Sequence, residues 1–157
     1  MKKNEFTIGL AAADALPVLF FSGTIAALSK KLKNKLFLLG AILCILAGTG
    51  QVIWKFIMAV KKVNIPILSR QMRFLMPAGF AAMIAGVCRS DPAVRRSIGK
   101  NALKMPSVLF YGLGAAGIAG MVVCAKKMDQ EDAKANMIEQ SINAAAQGSF
   151  LAGTMLL

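Results

Sequence analysis

The residues best able to do chemistry in this chain are few, and they lie inside apolar runs. Asp14, Lys55 and Glu139 are ionisable groups among stretches of Leu, Ile, Val, Phe and Ala. Gln51 precedes Lys55 by four residues, and Glu139, Asn143 and Gln147 follow one another at the same spacing, so each set occupies one face of a helix. An ionisable side chain at the centre of a membrane helix costs about 2.5–3.5 kcal/mol on insertion scales, so these groups are expected to face one another or water, not lipid. Two neighbouring carboxylates could share a proton or hold a cation, a lysine could serve as their counter-ion, and the amides could orient a small polar ligand.

The excluded chemistry is equally clear. The chain has no histidine, which removes His-based triads, His-ligated metals and His general bases. It carries no P-loop, GxGxxG, GxSxG or HExxH. Cys44, Cys88 and Cys124 fall in three separate apolar runs without CxxC spacing, and they are expected to be small buried apolar side chains, not disulfides or metal ligands. No cofactor and no metal site is expected. An enzyme is not favoured; the form left open to one is a carboxylate pair working as acid and base.

The segments that carry these residues are strongly apolar, and across the chain 57% of the 157 residues are hydrophobic, with a mean hydropathy of +0.61. Soluble domains hold about 45–50% apolar residues, and a chain this short could not hide the excess in one water-soluble core. A formal charge of +12 raises the question of nucleic acid. The basic residues, however, form short clusters between apolar runs, as at Lys30-Lys31 with Lys33 and Lys35, Lys61-Lys62, Arg95-Arg96 and Lys126-Lys127. That is where membrane proteins meet anionic lipid headgroups, so lipids and not nucleic acid are the expected partners.

A span needs about 20 mainly apolar residues. The chain is therefore expected to be an all-α polytopic transmembrane helix bundle, a single domain over 1–157 with spans near 8–28, 36–60, 65–88, 106–125 and 134–157. Lys2 and Lys3 before an apolar run resemble a secretory signal, but that run is too long and ends in lysines, so it is expected to be retained. The fifth span follows the acidic Asp129–Asp132 stretch; its Asn136, Glu139, Gln140, Asn143, Gln147 and Thr154 share one face, expected to turn into the bundle. Ala78-Ala82-Gly86 and Gly112-Ala116-Gly120 read as packing seams, within the chain or in a homo-oligomer.

Depth along antiparallel hairpins places Asp14 beside Gln51 and near Lys55, with Arg70, Arg73, Glu139 and Asn143 approaching from the same membrane side. The other half of the bundle is apolar apart from Tyr111 and a few hydroxyls. Lysine and arginine divide 9 to 9 between the two faces, and the denser clusters favour the amino terminus outside a cytoplasmic-type membrane. An acidic residue in the first span, Asp14, is shared with the small multidrug-resistance transporters, whose length and spans differ; tryptophan-rich five-helix sterol-binding proteins are similar in size, whereas this chain has one tryptophan, Trp54. No residue is carried over from either. Two classes of function stand: a small-molecule or ion transporter or binding protein with a pocket of Asp14, Gln51, Lys55, Glu139, Asn143 and Gln147, or a non-catalytic scaffold holding lipid or a partner protein. A buried structural network remains the alternative role for the same six residues.

Overall fold

The computed structural model describes residues 8–127 and 133–157, side chains at 69, 125–127, 133 and 134 excepted. The readings of Lys2-Lys3, Asp129–Asp132, the Lys126-Lys127 side chains and Lys134 lie outside them. Among the described residues seven helices follow in order: α1 (Ile8–Leu32), α2 (Lys35–Lys61), α3 (Pro66–Arg70), α4 (Met72–Arg89), α5 (Pro92–Ala102), α6 (Ser107–Lys127) and α7 (Ala133–Met155). The described residues hold no strand. Four helical stretches, with Pro66–Arg89 taken as one, are long and apolar enough to cross a membrane, so the chain is a multi-pass all-α membrane protein. Large apolar side chains stand outward, among them Leu19 at 64%, Phe74 at 75% and Leu113 at 61% exposure, as a lipid solvent allows and water does not.

The helix ends follow local chemistry. α1 runs past its apolar stretch to Leu32, because Lys30 and Lys31 suit the negative end of its dipole. Lys33 takes a positive φ and Asn34 caps α2, its side-chain oxygen accepting from the Leu36 and Phe37 amides at 2.9 and 3.1 Å. The turn thus centres between residues 33 and 34 instead of near 32. This moves Asp14 along α2 toward Lys55. Pro66 opens α3, and α4 follows after Gln71, so the third span does reach back toward Ile65.

The charged 89–105 connection between the expected third and fourth spans contains helix α5. Asp91 caps it by accepting from the Ala93 amide at 2.7 Å, and Pro92 starts it. Val94 and Ile98 pack on a core cluster that includes Ile25, Leu32 and Phe37, while Arg95, Arg96 and Lys100 are exposed. α5 is an amphipathic helix closing that end of the bundle.

The main helices form an arc in the order α4, α2, α1, α7, α6, each packing chiefly on its neighbours. α4 meets α2 through Gly79, Met83 and Gly86, so of the expected Ala78-Ala82-Gly86 stripe Gly86 lies in the seam, Ala82 is half-buried and Ala78 is exposed. The stripe on α6 is not a seam within the chain, since a methyl at Gly112 or Gly120 meets open space; Gly114 and Gly117 face α7 instead. Of the cysteines, Cys44 is buried in the α2–α4 seam, Cys124 is half-buried and Cys88 is exposed, contrary to the expected burial. Cys88 lies two residues beyond Gly86 and so turns away from the single face by which α4 meets α2.

At Gly79 a methyl would stand 2.5 Å from Cys44 Sγ and 2.8 Å from the Gly40 carbonyl oxygen. Gly79→Ala should therefore force α2 and α4 apart and destabilise by about 1–3 kcal/mol. Gly112→Ala should not. Denaturation in detergent followed by circular dichroism checks the pair, and equal stability of the two variants would overturn the seam.

Candidate functional site

The arc curves so that α4 and α6 become the banks of a groove whose floor is α1. Pro17, Phe21, Thr24 and Leu28 line the floor at helical spacing. Cavities of about 580 and 400 Å³ share Phe21, Phe80, Ile118 and Gln147, and a third of about 650 Å³ joins the second through Gln51, Met72, Met76 and Phe80. From Met72 to Val87 along the α4 bank the groove extends about 22 Å at a helical rise of ~1.5 Å per residue.

The six residues singled out from sequence divide into three sets. Gln51 from α2 with Asn143 and Gln147 from α7 line the middle of the groove together. Asp14 and Lys55 form an ion pair between α1 and α2, the only one among the described residues, with side-chain exposures of 5% and 16%. Lys55 takes one carboxylate oxygen; the other, Oδ1, and the Gln51 Oε1 are buried acceptors with no donor among the described residues. Glu139 lies one turn before Asn143, half-buried, and is not part of the groove lining, nor does it join the Asp14–Lys55 pair.

The half of the groove away from these groups is apolar except at its end. There the Tyr111 hydroxyl and the Thr154 hydroxyl bond to one another at 2.9 Å, and Tyr111 packs at a tilt on Phe150. Thr154 is fully buried, so this pair satisfies both hydroxyls in place. At the opposite end Arg70, Arg73 and Trp54 line the mouth, Trp54 also donating from Nε1 to Asn64 Oδ1 at 3.0 Å.

Sequence reasoning missed the walls. Phe21, Phe80 and Ile118 carry no signal that separates a groove-lining side chain from a lipid-facing one. Arg70 and Arg73 were legible from sequence as charges on the same membrane side as Gln51, but they were not counted among the pocket residues. No cluster of metal-ligating side chains exists among the described residues. The chemistry on offer is recognition: amide donors and acceptors, two guanidiniums, a buried carboxylate oxygen and long apolar walls.

Asp14→Asn leaves Lys55 without its counter-charge and should cost on the order of 3 kcal/mol, since breaking a buried pair strands the other charge. Asp14→Asn combined with Lys55→Gln should recover most of that loss. A double-mutant cycle on unfolding in detergent measures it, and additive single effects would show that the pair carries no coupling. Comparison of the chain with protein-family models, curated proteins and solved structures returns no match, so this geometry alone carries the functional reading.

Proposed function

We propose that this membrane protein is a binding protein of the transporter kind, taking a small amphipathic molecule into the groove between α4 and α6. The observation that carries this reading is the convergence of Gln51, Asn143 and Gln147 from two helices onto one groove with otherwise apolar walls. Ligand sites are typically concave and apolar with a few placed polar groups. Asp14 adds a buried carboxylate oxygen beside that groove, able to take an exchangeable proton or a donor from the ligand, with Lys55 as its counter-ion.

In this reading α7 is the fifth span. It packs between α1 and α6, two of the four apolar spans, and Asn143, Gln147 and Thr154 of its polar stripe line the groove. The end carrying α5, the α1–α2 turn and their lysines and arginines is the cytoplasmic one, and the amino terminus lies outside. A second reading, an assembly subunit, is favoured by the unpartnered Gly112-Ala116-Gly120 face of α6, which suits close approach by another helix, including that of a second copy.

Native mass spectrometry from mild detergent tests the two. Wild-type protein should retain a discrete small-molecule mass, and Asn143→Leu with Gln147→Leu, nearly the same in volume, should lose it with the helices intact by circular dichroism. If both proteins carry only the same heterogeneous adducts and run as an oligomer, the groove is not a ligand site and the assembly reading stands.

A further inference from the structure

The mouth of the groove has an electrostatic bias that the polar groups deeper in do not share. Arg70 closes α3 and Arg73 lies in the first turn of α4, three residues apart and thus on neighbouring helix surface. Both line the mouth cavity with Trp54 and Gln51, and no acidic side chain among the described residues lines it. The nearby Lys55 is neutralised by Asp14. Among the described residues the two guanidiniums therefore carry a positive charge with no acidic partner, and each is a planar fork able to grip two phosphate oxygens.

The mouth also stands at the depth where headgroups lie. It is at the start of the third span, and the chain's single tryptophan stands beside it, as aromatic side chains do at membrane interfaces. Inward from the arginines the lining turns apolar at Met72, Met76 and Phe80, and the groove runs on for longer than the ~15 Å hydrocarbon depth of one leaflet. A free anion would meet the arginines and nothing else. Past the Gln51, Asn143 and Gln147 amides an acyl chain matches the apolar lining of the far half.

From this charge complementarity, and resting on the groove reading above, we infer that the ligand is an acidic phospholipid, its phosphate held by Arg70 and Arg73 and one acyl chain lying between α4 and α6. Bulk lipid tails are as apolar as the groove walls, so the tail gains little by moving in and selection falls on the headgroup.

Trp54, as the only tryptophan, reports on the mouth without a label. The full chain in mixed micelles is titrated with phosphatidylglycerol or phosphatidylcholine carrying brominated acyl chains, and quenching of its fluorescence is followed. Half-quenching should need an about thirtyfold lower mole fraction of the acidic lipid, the scale that two basic side chains near a membrane surface supply. The preference should vanish in Arg70→Gln/Arg73→Gln and persist in Arg70→Lys/Arg73→Lys. Equal quenching by both lipids, or a preference retained in the glutamine variant, would overturn the assignment. So would its loss on adding inorganic phosphate at matched ionic strength, which would give the mouth to a free anion. If headgroups are not distinguished while a discrete mass still disappears with Asn143→Leu and Gln147→Leu, the groove reading survives and the lipid assignment alone falls.

Discussion

Helices dissolved in hydrocarbon gain nothing from hiding apolar surface from water, so they hold together where their backbones come close. In this chain every adjacent pair in the arc meets at glycine. Gly40 and Gly79 bring α2 and α4 together, Gly48 receives Val18 of α1, Gly23 and Gly148 fit α1 to α7, and Gly117 sits against Ala146 between α6 and α7. Across the groove the facing residues are large: Phe80 and Ile84 from α4, Tyr111 and Ile118 from α6. Small seams set which helices touch, and large banks set which do not. The groove is thus a consequence of the packing order, produced by the same distribution of glycine that holds the arc.

Much of this is written in the sequence. Apolar runs gave the four strongest spans, and the position of Asp14 relative to the α1–α2 turn was enough to put it near Lys55, because hairpin register comes from counting. The polar face of α7 was legible from its 100° periodicity. A turn into the bundle beside Gln51 was expected of it, but the apolar walls that Asn143 and Gln147 face were not legible, since they come from helices distant in sequence. The seam on α4 shows the limit most plainly: Ala78 and Gly79 are equally small neighbours, yet a rotation of about 100° sends one to lipid and the other to the backbone of α2. α5 escaped for another reason. A search for long apolar stretches passes over a short amphipathic helix, although Asp91 and Pro92 mark its start with ordinary capping chemistry.

The polar groups left over from packing give the groove a direction. At one end the Tyr111 and Thr154 hydroxyls bond to each other, and the surface left to a guest there is largely apolar. At the other, Arg70 and Arg73 have no acidic partner among the described residues of the mouth, and Asp14 and Gln51 each keep a buried acceptor that no described side chain satisfies. Such acceptors cost free energy unless a donor reaches them, whereas the paired hydroxyls cost nothing further. Any amphipathic guest therefore lies with its polar part toward α3 and its apolar part toward Thr154, whichever helix it passes on the way in. That orientation matches the polarity of the single leaflet on the amino-terminal side, so a lipid could enter sideways past α4 and α6 without turning over.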